Sequence, residues 1–464
     1  MVQNIMMTNQ SKAMCNNNNC SFSNYLNSIF KNTKSMKFSV SIRIPLILSL
    51  ILFLGFQSTK AQKDNWTHFR GSNLNGISTM TQAPVLWNDS TNIIWKTDIQ
   101  GKGWSSPVVF GDQVWVTTAT ENGKKMLGVC LDINSGKRIY NVNLLQPDSV
   151  YSKHSINTYA TPTSCIEAGF VYMHFGSYGT TCVNTATGVV VWKRTDLKCE
   201  HVQGPGSSPI LYKDLLILHY DGTDVRFIVA LNKRTGETVW KTERPEEPYK
   251  SLPPIGKKSF ITPLIIKVKG EDLLISNGSA VCMAINPETG KEVWRVVKGK
   301  ESTVSSPFSE NGTVYFYTSW VAPADEVQHI NLLAVNPDGK ADITKTNILW
   351  AKDFPIDQLL SALIKDGLIY TIDTRNMLYC LDAKTGKELY SKKLNRKYNS
   401  SPIYAAGNIY FTSVKGETMV IKPGNKLQIV AENKLPGEVY ATPAFVRNSI
   451  LFRTDRSLYR IGTK

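Results

Sequence analysis

The first 61 residues of this 464-residue chain contain no aspartate and no glutamate. Elsewhere the absences are of other kinds. No segment repeats apolar residues at helical spacing for long, which excludes bundles and helical solenoids. Histidine is scarce, at six, and neither His-x-His nor HExxH occurs, so a metal site would need distant residues to converge. Gly101-Lys102-Gly103 and the Gly204–Gly206 stretch join no strand to a helix and fit no phosphate-binding pattern. With 42% apolar residues the composition is not that of a disordered chain.

The acid-free segment explains much of the formal charge of +16. It holds Lys12, Lys31, Lys34, Lys37, Arg43 and Lys60, and without it 47 basic residues face 37 acidic ones over 403 residues. That balance is mildly basic and does not by itself indicate a nucleic-acid binder. Residues 36–61 carry Lys37 and Arg43, then a mostly apolar run from Ile44 to Phe56, then Thr59-Lys60-Ala61. This is the layout of a secretory signal peptide cleaved near Ala61, and the apolar run is short for a stable membrane span. Residues 1–35, with Asn16 to Asn19, are low-complexity, and translation is expected to begin at Met36. No cysteine follows the apolar run, which counts against a lipid anchor. The expected product is periplasmic or secreted and has no integral membrane span.

Residues 62–464 repeat one unit. Ser106-Pro107, Thr161-Pro162, Ser208-Pro209, Thr262-Pro263, Ser306-Pro307, Ser401-Pro402 and Thr442-Pro443 each open an apolar strand, and Leu360-Ser361-Ala362-Leu363 is a degenerate copy. A third strand ends at Ser135-Gly136, Thr187-Gly188, Thr235-Gly236, Thr289-Gly290 or Thr385-Gly386, and a fourth carries Tyr140, Trp192, Trp240, Trp294, Trp350 or Tyr390. Asp132, Asn184, Asn232, Asn286 and Asp382 are placed to hydrogen-bond the hairpin backbone, and the aromatic to pack on the next unit. The last copy lacks a fourth strand, while Asn92–Thr97 supplies one at the other end. The fold class is all-β: a single β-propeller of eight four-stranded blades (seven if the degenerate copy is discounted), closed by its N-terminal strand.

The turns at 231–240 and 285–294 resemble the repeats of quinoprotein alcohol dehydrogenase-like propellers, known as PQQ-like repeats. Trp66-Thr-His-Phe-Arg-Gly71, Asn75–Ser78 and Gly204–Pro209 are similar to a secreted bacterial branch, itself similar to the propeller subunit of the outer-membrane assembly machinery. Catalytic members of the family hold PQQ between a tryptophan and a disulfide of adjacent cysteines, beside Ca²⁺. This chain has no adjacent cysteine pair, so no cofactor is expected, PQQ and Ca²⁺ being implied by the resemblance alone.

Cys130, Cys182 and Cys380 occupy a position that is Ala230, Ala284 or Ala334 in other repeats, which marks a small packing site. Cys165 and Cys199 lie in neighbouring repeats, close enough in the pattern for a disulfide in an oxidising compartment. Connections from fourth to first and from second to third strands share one rim, and both kinds read as long. His154, Tyr159, His174, His201, His219, Asp221, Asp224, Arg226 and His329 map to it as a candidate ligand cluster. Asp221–Asp224 alone lacks the later ligands of a Ca²⁺ loop. The 241–260 connection, with Arg244, Lys250, Lys257 and Lys258, reads as a solvated basic loop or a contact for an acidic polysaccharide.

The leading expectation is a monomeric binding or scaffold module for a protein or an acidic glycan, without catalytic residues. The alternatives are a PQQ-dependent oxidoreductase and a polysaccharide lyase using His154, Tyr159, His201 and His219.

Overall fold

Eight antiparallel sheets follow one another along the chain, seven of four strands and one of five. The computed structural model describes residues 64–298, 303–319, 330–354 and 359–462. Residues 1–61, read above as low-complexity and signal segments, and His329 lie outside the described residues. Helix is confined, among the described residues, to the short 3₁₀ turns Glu121–Gly123, Glu247–Tyr249 and Pro254–Lys257. Blade 1 comprises Val108–Phe110, Gln113–Thr120, Lys125–Asp132 and Arg138–Leu145. Blade 8 comprises Ala444–Val446, Ser449–Arg453, Ser457–Gly462 and, from the other end of the chain, Ile93–Asp98. That last strand pairs antiparallel with Ser457–Gly462, Trp95 opposite Arg460 and Thr97 opposite Leu458. The expected eight blades and ring closure are both present.

The hairpin chemistry is also as expected. Asp132, Asn184, Asn232, Asn286 and Asp382 each accept the N–H three residues on, at 2.7–3.2 Å. Each glycine of these turns receives the fourth-strand aromatic of the preceding blade. A Cβ on Gly236 would meet the Trp192 ring at 2.8 Å, and one on Gly290 the Trp240 ring at 2.7 Å. The indole N–H then donates to the turn backbone, Trp192 to Lys233 O at 3.0 Å and Trp240 to Pro287 O at 3.0 Å. On the third strand the residue opposite the aromatic is small and buried: Cys130 faces Tyr140, Cys182 faces Trp192, Ala230 faces Trp240 and Cys380 faces Tyr390. The cysteine–alanine alternation is thus a packing register. Where the pattern lapses, other elements fill in. Blade 5 has no Thr-Gly turn, and its Ala341–Asp342 pairs parallel with the strand of Trp294 as a fifth strand of blade 4. Blade 7 has Ala431 on its fourth strand, and Trp87 from the N-terminal segment packs there against Tyr410 and Phe452.

Residues 66–78 close one end of the central channel. Trp66 exchanges backbone hydrogen bonds with Val109 of blade 1, at 2.9 and 2.8 Å. Thr67 O accepts from Ile166 of blade 2, and His68 Nε2 from Leu211 of blade 3. Arg70 Nη2 donates to Ala362 O of blade 6 at 2.6 Å, Gly76 O accepts from Tyr404 of blade 7, and Ser78 Oγ donates to Phe445 O of blade 8. One short segment therefore pairs with the innermost strands of six blades. The sequence Trp66–Gly71, noted above only as a resemblance, is this plug.

Gly290 (φ +73°) and Gly270 (φ +91°) both sit where side chains are strained, but only Gly290 lies under an aromatic ring. Gly270→Ala should cost about 1–2 kcal/mol from backbone conformation. Gly290→Ala should cost clearly more, because the Trp240 ring must move. Equal losses in urea-unfolding free energy for the two variants would show that aromatic docking is not what joins the blades.

Candidate functional site

The fourth-to-first connections carry the elaborated rim. They run over 146–164, 195–209 and 244–263 around blades 2, 3 and 4, whereas the second-to-third connections are mostly tight, for example 222–225 and 278–280. The expectation that both kinds are long holds only for the first kind, apart from 318–329. The tight ones are short hairpins because nothing but the next strand of the same sheet needs to be reached.

At the mouth of the channel the Ser/Thr that precedes each first strand forms a hydrogen-bonded ring. Ser106 N–H donates to Thr163 Oγ1 at 2.9 Å and Thr163 N–H to Ser208 Oγ at 3.0 Å. The series continues through Thr262, Ser306, Ser361, Ser401 and Thr442 at 3.0–3.2 Å. The copy in blade 2 is therefore Thr163-Ser164, two residues beyond the expected Thr161-Pro162, while Ser361 confirms the degenerate copy of blade 6. Between Thr442 and Ser106 the Arg453 guanidinium donates to Ser105 O at 3.0 Å. The proline that usually follows brings no N–H to this crowded axis.

Above the ring lies a cavity of about 300 Å³. Each fourth-to-first connection contributes to it: Trp104, Asn157, Gln203 and Phe260 on one half, Val304, Leu359, Asn399 and Tyr440 on the other. Phe69, from the plug, lines it as well. No Asp, Glu, Lys or Arg is among its described lining residues. Trp104 and Tyr440 stack at 4.4 Å, and Trp104 Nε1 donates to Ile156 O.

The candidate residues divide between three settings. His154 is exposed and lines the cavity. Tyr159 donates its hydroxyl to Tyr151 O at 2.9 Å and does not line it. Asp224 is exposed, capping Glu200 N–H at 2.8 Å, and Arg226 lies over the Tyr249 ring. His174, His201, His219 and Asp221 are buried beneath the rim.

These buried residues have intramolecular work. Asp221 accepts from Arg244 Nε at 2.7 Å, Arg244 Nη2 at 2.8 Å and Ser259 Oγ at 2.6 Å. Burial alone would raise the Asp221 carboxyl, yet the Arg244 guanidinium holds it below the usual range. Lys258, which has only donors, contacts His201 Nδ1, and this puts the imidazole hydrogen on Nε2, 3.2 Å from Cys199 Sγ. Burial lowers Lys258 to about 8 and raises Cys199 to about 12; it lowers His201 well below its ordinary value, with the Lys258 charge adding to the effect. The 241–260 connection is thus not simply a solvated basic loop, since Arg244 and Lys258 point inward as its anchors. The six described cysteines are free thiols. The Cys165–Cys199 pairing that the repeat pattern left open is not formed: Cys199 is turned to His201 and Ser177.

What sequence reasoning missed is the cavity. Its signal was present in the Ser/Thr of every repeat, which read as a strand marker and not as a ring.

A family model described as outer membrane protein assembly factor BamB (PQQ_2) matches residues 77–222, 225–342 and 339–424. The chain belongs to this family. No curated protein matches this PQQ_2 propeller. Among solved structures it is similar to BamB from Moraxella catarrhalis, at 11% identity over 80% of this chain and 99% of that one, with a TM-score of 0.54. The computationally designed Ika8 protein superposes with a TM-score of 0.53 at 11% identity, over 79% of this chain and 98% of that one. At such identities the likeness shows the fold alone. The quinohemoprotein alcohol dehydrogenase of Comamonas testosteroni, at 12% identity over 88% and 82%, has a TM-score of 0.44, too low to carry an argument.

PQQ is a tricarboxylate that calls for cationic partners and, with its Ca²⁺, for carboxylate ligands. The described cavity lining offers neither. The residues do not fit that cofactor, and none of its chemistry is assigned to them.

Four buried histidines are kept neutral by burial: His68 is lowered to about 4, His174 and His219 to about 3, and His201 well below its ordinary value. The unfolded chain takes up these protons near pH 6.5 and the folded chain does not. Stability is therefore full above pH 6.5 and falls as the pH drops from there toward about 4, by up to about 1.4 kcal/mol per unit for each group. Both ring nitrogens of His219 lack a hydrogen-bond partner. His219→Leu should keep or raise stability at pH 7.5 and flatten the decline toward pH 5, as read from urea midpoints. A parent midpoint that does not change between pH 7.5 and 5 would refute this account.

Proposed function

We propose that this chain is an exported binding propeller of the bacterial cell envelope, periplasmic or secreted, that holds a protein or glycan at the loop rim around its mouth. The observation that carries this reading is convergence. All eight fourth-to-first connections meet at one cavity, while residues 66–78 bind the inner strands of six blades and leave that mouth as the approach to the axis. Functional groups on propellers and other rigid scaffolds gather where loops converge. Family membership adds a protein partner to the reading, since the matched model is described as an assembly factor. The lyase alternative is weaker, because of its four acid–base candidates only His154 lines the cavity.

A photocross-linking residue placed at Gln203, on the mouth, should capture an envelope component in intact cells. The same residue at Arg234, on an exposed hairpin of the opposite rim, should not. Equal capture from both positions, or none from the mouth, would count against a rim-binding role. The mature N-terminus recovered from the envelope should be Gln62; a chain recovered with the 36–61 segment intact from the cytoplasm would refute export.

A further inference from the structure

We infer that the mouth cavity is a binding site for a neutral carbohydrate, one or two sugar rings at the end of a glycan. This rests on the rim-binding reading above and names the ligand class of the same site. Three independent features point to it.

The first is charge. A protein with a surplus of ten positive charges outside its first 61 residues builds a cavity with no lysine, arginine, aspartate or glutamate among the described residues of its wall. A carboxylate or phosphate ligand buried there would have no lysine or arginine partner among the described residues and would forfeit several kcal/mol of hydration. Neutral ligands escape that cost.

The second is aromatic placement. Trp104, Tyr440, Phe260 and Phe69 all line the cavity and all remain partly exposed. Trp104 and Tyr440 stand on the connections into blades 1 and 8 and Phe260 on the connection into blade 4, half a ring away. Phe69 comes from the plug. A pyranose presents C–H faces to such walls while its hydroxyls point around its edge, a division of polarity that purely apolar or purely ionic ligands lack.

The third is the hydrogen-bonding ring. From Thr163 to Thr442 each hydroxyl oxygen accepts a backbone N–H from the neighbouring blade. Each oxygen thereby uses one of its two lone pairs, which leaves the O–H and the second lone pair as what each side chain offers to the cavity. These donors face an axis where a sugar's hydroxyl and ring oxygens can accept. Asn399, half-buried, lines the same cavity as a further polar side chain, its Oδ1 being turned away from solvent. The volume, about 300 Å³, stands at the small end of ligand pockets.

The test is a titration of the chain from Gln62 to Lys464, followed by calorimetry and by tryptophan fluorescence. The probes are neutral cello-, malto-, xylo- and manno-oligosaccharides of two to six units, beside di- and trimers of galacturonate. At least one neutral series should bind at millimolar concentration or better and perturb the Trp104 emission, with galacturonate at least tenfold weaker. Trp104→Ala and Phe260→Ala should each weaken binding about tenfold or more. Asn399→Leu should weaken it about five- to tenfold without lowering the urea midpoint, since its Oδ1 bonds nothing in the protein. Galacturonate binding as tightly as neutral sugars, no neutral sugar binding at all, or an Asn399→Leu protein that binds like the parent would each overturn the proposal. Loss of sugar binding with Gln203 cross-linking intact would remove the carbohydrate and leave the protein-binding rim standing.

Discussion

Eight innermost strands point an unpaired edge at the axis of this ring, and the whole structure depends on how those edges are satisfied. A strand edge left open is a row of unmet donors and acceptors, and at the axis there is no room for another strand. Three devices share the task. The Ser/Thr hydroxyl before seven of the eight strands accepts the neighbouring N–H, the proline that follows in six blades removes a donor altogether, and residues 66–78 pair with what remains lower down. Ser106 and Val109 mark the two levels, three residues or about 10 Å apart along one strand. The cavity lies at the upper level, so the bonds that close the ring also decide which groups face a ligand.

The same logic holds one layer out. Two long connections would drape loosely over blades 2 to 4 without internal partners. The Arg244–Asp221 pair and the Lys258–His201–Cys199 series fix them from beneath. Buried ion pairs contribute little net stability compared with apolar packing, but removing one partner strands the other, so they enforce a single loop arrangement. A loop rim fixed in this way presents a preformed site, and binding need not supply the ordering entropy.

Architecture was legible in the sequence because it is periodic. Glycine turns, docking aromatics and the cysteine–alanine position recur at fixed offsets, and the missing fourth strand of the last blade could be matched with Ile93–Asp98. The site was less legible. Rim assignment of the histidines followed from strand order, but depth did not: nothing near His219 in sequence reveals that Arg244 and Ser259, over twenty residues later, will cover Asp221 beside it. The ring was hidden by its own punctuation. In blade 2 the proline stands two residues early, and only the Thr163 and Ser208 hydrogen bonds define the true register.

The surplus positive charge takes on a different meaning once the cavity is seen to be neutral. Exposed lysines and arginines act over about a Debye length, roughly 8–10 Å in physiological salt, and favour approach by anionic surfaces without selecting among them. Selection belongs to the mouth, where no Asp, Glu, Lys or Arg is among the described lining residues and hydroxyls, an amide and aromatic faces are held around the axis. A basic exterior and a neutral mouth suit a ligand whose recognised tip is uncharged although the body that carries it is anionic. This arrangement separates attraction from recognition, and it follows from the axis: the one guanidinium in the hydroxyl ring, Arg453, is spent on the Ser105 backbone and hydroxyl.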